Sequence, residues 1–398
     1  MVKIQPFEVE QWMDRLETTP GVLNIAETCA ASVSIDDLMA MSTDKAAPSP
    51  LSLSTKMTYG EIKGSTRLRQ NVAALFNSSA LPETTPLGPD NILITQGAIA
   101  ANFLLLYTLI GPGDHVICVY PTYQQLYSVP ESLGAQVSLW KLKPENNYVP
   151  DPADLPGLLQ PNTKMIIINN PNNPTGSTTP TPTLSSIVSF ARSHSLLLLS
   201  DEVYHPLYHS YPAPPPSILA FDYPLAIATG SMSKAFALAG LRIGWIASHN
   251  PALLAAASAA RDYTTISVSQ LDDAVAAYAL SPAVLPGLLE RNMALARTNL
   301  ALLDAFVERY AAVVEWVRPT GGTTAFIKFK RKGGEAVDDA KFVMEVLGEV
   351  NVLFMPGRAC FGKGEDFGGF VRIGYVSETK VLEEGLERLG GFVERRLL

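Results

Sequence analysis

The chain has 398 residues, 47% of them hydrophobic and 17% charged, which excludes a disordered polypeptide and leaves room for two cores rather than one. Its net charge of −8, with no dense Lys/Arg block, argues against a nucleic-acid partner. The three cysteines, Cys29, Cys118 and Cys360, are far apart and form no C-x-x-C pair, so they outline neither a disulfide framework nor a cysteine-rich zinc site and suit a reducing, cytoplasmic setting.

The opening sequence MVKIQPFEVEQWMDRLE carries acidic residues early and no apolar core, unlike a secretory signal. Residues 7–16 have the pattern of a short helix, and 43–54, rich in Pro, Ser and Ala, read as a connector. From about residue 90 short apolar runs alternate with helical patterns. A strand at 92–95 precedes a helix from Gly97, a strand at 115–119 precedes a helix near 123–133, and further strands fall at 165–169, 196–200 and 225–231. That alternation predicts an α/β layer structure on a largely parallel sheet. The leucines at 196–199 end in Ser200-Asp201-Glu202, as in a strand buried on both faces that delivers polar groups at its carboxyl end. The prolines Pro212, Pro214, Pro215 and Pro216 read as a surface loop. A helical stretch at 282–312 leads into strands at 324–329, 352–355 and 370–375, a helix at 337–347 and a final helix, which together predict a smaller α+β domain. The longest apolar stretch, 98–110, is interrupted by Asn102 and Thr108 and falls short of the roughly 20 residues that cross a bilayer, so no membrane partner is expected. The organisation that follows is an N-terminal arm (1–50) contributing to the small domain, a large domain (51–280) and a small C-terminal domain (281–398).

The strongest local signal is Gly230-Ser231-Met232-Ser233-Lys234, directly after the apolar run 225–229. A lysine delivered by a buried strand is costly unless neutral or covalently engaged. Desolvation and neighbouring cations would lower its pKa toward a reactive amine; alone, it also reads as a surface lysine on a turn. Arg242 follows in Ala239-Gly240-Leu241-Arg242-Ile243-Gly244, either as a structural ion-pair partner or as a fork for a phosphate. Gly97-Ala98-Ile99 opens a helix whose free N–H groups suit an anion. Asn173-Pro174-Thr175-Gly176 is rich in turn formers, and Asp201 alone could cap a helix. Arg372 lies inside the apolar strand Phe370-Val371-Arg372-Ile373-Gly374, where a buried guanidinium needs a carboxylate, from the protein or from a substrate. His205 and His209 are four apart, but Pro206 lies between them and no Glu follows His205, so no metal site is expected.

In order and spacing these motifs resemble fold-type I pyridoxal-phosphate (PLP) enzymes, specifically the class I/II aminotransferases, over nearly the whole chain. The resemblance implies a PLP-dependent transferase fold, its large domain a mostly parallel seven-stranded sheet sandwiched by helices. It implies that Lys234 holds PLP as a Schiff base and acts as general base. Ser231 and Arg242 then meet the phosphate together with Gly97, Ala98 and Ile99, and Ser233 is a further cofactor contact. Asn173 and Tyr204 reach the phenolic oxygen, Asp201 pairs with the pyridine nitrogen, and Tyr123 stacks on the ring. Tyr59, in Thr58-Tyr59-Gly60, would reach the phosphate from a neighbouring subunit, which makes a homodimer the active unit. Arg372 and Asn173 would clamp the substrate α-carboxylate. The implied reaction moves an amino group between an L-amino acid and a 2-oxo acid, and the alternative is a PLP-dependent lyase, cyclase or oxidase of the same fold. One departure concerns Asn24-Ile25-Ala26-Glu27-Thr28, where many members carry a glycine-containing stretch over the substrate. There Ala26 lines the pocket, and Glu27 reads either as a capping or surface residue or as a group that meets a cationic side chain.

Overall fold

The computed structural model describes residues 4–82, 84–211 and 213–398. The first three letters of the N-terminal motif and Pro212 of the proline loop lie outside the described residues. Helix Glu8–Leu16 and strand β1 (Leu23–Asn24) come first. The central sheet then takes β2 (Ile92–Thr95), β3 (His115–Tyr120), β4 (Gln136–Lys141), β5 (Thr163–Asn169), β6 (Leu197–Asp201), β7 (Ala226–Ser231) and β8 (Gly244–Ala247). Its order is β2-β8-β7-β6-β5-β3-β4, and only β8 runs against its neighbours.

Side chains alternate across a strand, and here both sides are apolar. Ile117, Ile166, Ile168, Leu198 and Ala228 enter one core, while Val116, Met165, Ile167, Leu199 and Ile227 enter the other. The first core is closed by helices Thr66–Asn77 and Thr181–Ser193 through Leu68, Val72, Leu184 and Ile187. The second is closed by helix Gly97–Leu109 through Ala101, Leu104 and Leu105. The sheet is therefore the middle layer of a sandwich, as expected for near-continuous hydrophobic strands. Only β4, at the edge, is partly exposed along most of its length.

A second, antiparallel sheet is built from β9 (Val314–Trp316), β10 (Thr324–Phe329), β12 (Met355–Pro356) and β13 (Phe370–Gly374), in the order β12-β13-β10-β9. The expected single strand at 352–355 is in fact two. β11 (Val352–Leu353) pairs in parallel with β1, Phe354 intervenes, and β12 joins β13. The run is buried throughout, so hydrophobicity alone carried no mark of the change of sheet. The proline loop also needs correction. Pro214 is exposed but Pro215 and Pro216 are buried, because the chain turns inward to Ile218, whose N–H donates to buried Glu202 Oε1 at 2.9 Å. Among the described residues no helix is long and apolar enough to cross a membrane.

Candidate active site

The carboxyl ends of β5, β6 and β7 open onto a cavity of about 650 Å³, the usual place for a ligand in an α/β sheet. Ala26, Glu27, Ala98, Ile99, Tyr123 and Asn173 line it, as do Asp201, Tyr204, Ser231, Ser233, Lys234, Arg242 and Arg372. Thirteen of the fifteen residues singled out from the sequence are thus brought together. Gly97 lies just behind the wall, and Tyr59 lies apart on an exposed loop, 76% accessible.

Asp201 ends β6 and is buried. Its Oδ2 accepts from Asn102 Nδ2 at 3.0 Å and its Oδ1 from Val203 N at 3.2 Å; no helix begins here for it to cap. Burial pushes its carboxyl up to about 6, against these two donors. Asn102 cannot turn away, because its Oδ1 accepts from Thr229 Oγ1 at 2.7 Å on the adjacent strand. The sequence reading noticed Asn102 only as a break in an apolar helix. A lone buried amide among apolar residues was the signal, since such a group has to be hydrogen-bonded.

Asn169 sets the next loop: its Nδ2 donates to Asp201 O at 3.0 Å, and its Oδ1 accepts from Asn173 N at 2.7 Å. This tie folds the turn-rich segment so that Asn173 faces the cavity. There Asn173 Oδ1 accepts from Arg372 Nη1 at 3.3 Å. Arg372 also donates from Nη2 to Ala26 O at 2.9 Å, and its Cζ stands 5.3 Å from the Phe361 ring centroid. Its Nε is buried without a partner. No protein carboxylate pairs with it among the described residues, so the structural salt bridge considered from sequence is not made.

At the other end, Gly97 has φ +81°, and a Cβ there would lie 2.8 Å from Arg242 Nη2. Glycine lets the guanidinium close on the start of helix Gly97–Leu109, whose first N–H groups lack helical partners. Arg242 Nη1 donates to Ala239 O at 2.9 Å and to Ser233 Oγ at 3.5 Å, and Ser231 Oγ accepts from Ser233 N at 3.2 Å. Tyr123 packs on Phe7, with ring centroids 4.8 Å apart, and donates its hydroxyl to Glu10 Oε1 at 2.9 Å. Tyr204 is fully enclosed; burial raises its hydroxyl pKa, with Lys234 and Arg372 acting the other way.

Lys234 stands between the two ends. Its Nζ is 3.3 Å from Cys29 Sγ and 3.5 Å from Glu27 Oε1. This corrects the expected depressed lysine. Burial does oppose the ammonium, but Cys29 and Glu27 outweigh it and hold the pKa above the ordinary value. Burial itself pushes the Cys29 thiol up to about 11, so at neutral pH the carboxylate is the anion that counts. Burial likewise works against the Glu27 charge, yet Lys234 and the N–H groups of Cys29 and Thr28 bring its pKa down to about 2. Glu27 Oε1 accepts from Thr28 N at 2.6 Å and Cys29 N at 2.9 Å, so it caps its own turn and faces the lysine at once. Cys29 and Thr28, to which the sequence alone assigns no place in the site, enter the wall through this turn.

The family model for aminotransferases of class I and II matches residues 38–389. A capreomycidine synthase of Streptomyces vinaceus is 30% identical over 82% of this chain and 78% of its own. An aspartate aminotransferase of Thermotoga maritima is 28% identical over 86% of this chain and 85% of its own. Among solved structures, a PLP-dependent aminotransferase from Streptococcus suis superposes with a TM-score of 0.86 at 38% identity, covering 99% of each chain. The chain therefore belongs to the class I and II aminotransferase family, a PLP-dependent transferase whose cofactor is pyridoxal phosphate.

Proposed function

We propose that this enzyme moves the amino group of an L-amino acid to a 2-oxo acid with Lys234 as both cofactor anchor and general base. The observation that carries the reading is that one cavity holds Lys234, the buried carboxylate of Asp201, Asn173 and Arg372, which pairs with no protein carboxylate among the described residues. The donor set fits pyridoxal phosphate. The helix start, Ser231, Ser233 and Arg242 would hold its phosphate at one end, and Asp201, which pairs with no cation among the described residues, would hold a protonated ring nitrogen at the other. When bound, the cofactor supplies an electron sink for charge that develops at the substrate Cα.

The chain's own residues do the rest. Arg372 and Asn173 hold the α-carboxylate by charge-assisted hydrogen bonds and so orient the Cα–H bond. Lys234 Nζ takes the Cα proton, and Glu27, 3.5 Å away, stabilises the ammonium that results. Asp201, kept from turning by Asn102, would hold a proton on the ring nitrogen, and Tyr204 and Asn173 would serve the phenolic oxygen. Tyr123, in the cavity wall, would form the platform for the ring. A homodimer with Tyr59 donated across the interface is supported by exposed Tyr59, Phe103 and Tyr107 and by an apolar cavity of about 460 Å³ between Phe7, Ile99 and Phe103. We assign 51–280 to the large domain and 281–398 to the small one with the arm 1–50, a division supported by the pairing of β1 with β11. The three buried, unbridged thiols support a cytoplasmic setting.

A second reading is a lyase, cyclase or oxidase outcome from the same bound substrate, favoured by the similarity to capreomycidine synthase. One experiment separates the two. PLP-loaded protein is given an amino donor with and without a 2-oxo acid. Transamination yields one product per cofactor without acceptor and continuous turnover with it, and Lys234→Ala yields none. Continuous turnover without acceptor, releasing ammonia, peroxide or a cyclised product, supports the second reading; no product under either condition sinks both.

A further inference from the structure

We propose that the mouth of this cavity reads a positive charge, so that the amino donor is an L-amino acid whose side chain ends in a guanidinium or ammonium group. The inference rests on the aminotransferase reading of the same site and narrows its substrate class.

It starts from the cations that line the cavity, Lys234, Arg242 and Arg372. Each is already assigned. Arg242 faces Ser233 and the helix start, Lys234 anchors the cofactor, and Arg372, held by Asn173 and Ala26 and paired with no protein carboxylate among the described residues, is taken by the α-carboxylate. No cation in the wall is left over for a second substrate carboxylate.

The remaining charged groups of the wall are acidic. Glu10 and Asp14 stand on helix Glu8–Leu16, and Glu17 at its C-terminal cap. Their spacings of four and three residues set them on one helical face. Glu27 projects into the same space from the segment behind. Its Oε1 takes both backbone donors and the contact with Lys234, whereas Oε2 makes no hydrogen bond among the described residues. When a donor arrives, with Lys234 still committed to the cofactor, Glu27 faces the cavity as a half-buried anion without its cation. A cationic side chain restores the pair. An acidic side chain would meet four carboxylates and no counter-charge, and a neutral one would leave Glu27 uncompensated.

The two readers are also linked. Arg372 Nη2 donates to Ala26 O, one residue before Glu27, so the group that meets the α-carboxylate is tied directly to the segment that presents the group meeting the side chain.

The test uses the full-length, PLP-loaded enzyme with L-arginine and L-citrulline, which share a shape but differ in charge, with L-ornithine against L-norvaline as a second pair and L-glutamate as the acidic donor. Two quantities are read: kcat/KM for each donor, and donor binding to PLP-loaded Lys234→Ala protein by calorimetry. The expected result is arginine over citrulline by about tenfold or more in both, with glutamate weakest. That ratio is expected to fall toward one in Glu27→Gln, whatever happens to either rate alone, and to fall partway in Asp14→Asn, on the exposed helix. Equal use of arginine and citrulline, a preference for glutamate, or a ratio unchanged in both variants would overturn the charge reading while leaving transamination standing. No reaction with any donor would remove the aminotransferase reading and this inference with it.

Discussion

The floor and the mouth of the cavity are built in opposite ways. On the floor, Asp201, Asn102, Thr229, Asn169 and Asn173 are buried, and hydrogen bonds of 2.7–3.0 Å join the ends of three neighbouring strands to one helix and one loop. At the mouth, Glu10, Asp14 and Glu17 are exposed on an N-terminal helix that faces the sheet from outside. A fixed floor suits the bond-breaking step, which needs the same geometry for every substrate. A hydrated, charged rim suits discrimination, which needs only a sign and a distance.

Substitutions can break or sharpen that contrast. The largest effect is expected at the floor's centre: Lys234→Ala should lower turnover by about 10⁴-fold, measured as 2-oxo acid formed, while the circular dichroism of the fold stays unchanged. At the junction of floor and mouth, Arg372→Leu should reduce kcat/KM for every α-amino acid by about 10²-fold, mostly through KM, because a buried charge-assisted pair is worth about 3 kcal/mol. An unchanged KM would mean that the α-carboxylate is held elsewhere.

Asp201→Asn tests whether the floor trades stability for chemistry. Burial pushes the Asp201 carboxyl from 3.8 to about 6. Between those values the folded, cofactor-free protein holds a proton that the unfolded chain has released. This contribution to stability is therefore present below about pH 4 and is lost as pH rises through about 6. The asparagine variant lacks that slope, so without cofactor it should be more stable at pH 7, by about 3 kcal/mol at most, while turnover falls. Denaturant melts of both proteins at pH 4 and 7 check the sign. The smallest effect lies outside both regions: Tyr59→Phe should weaken cofactor binding by about tenfold, and only in protein that sediments as a dimer.

Legibility in the sequence followed the same division. Strand ends were readable because runs such as Leu196–Leu199 are apolar on both faces and stop at Asp201. The edge strand β4 was missed because half-exposed Gln136–Lys141 lacks that continuity. The helices Thr66–Asn77, Pro251–Arg261 and Gln270–Ala279 also went unread. Their helical spacing lies between turn-forming segments that gave no separate functional signal. The environment of Lys234 could not be read locally at all. Its anion is Glu27, 207 positions earlier, brought in by the way the arm crosses β13, and pairwise charge contacts at that separation leave no periodic trace.

That crossing is tight. Gly374 N donates to Ile25 O at 2.8 Å, and a Cβ on Gly374 would fall 1.7 Å from Glu27 O. Strand β13 thus carries Arg372 and, two residues on, the rest point for the segment that presents Glu27. The pair works as the two jaws of a caliper riveted at one glycine. No Cβ fits at the rivet, so a Gly374 variant should push the segment off β13 and move Ala26 O and Glu27 together, which a panel of donors graded by side-chain length would show as weaker use of every donor and an altered order among them.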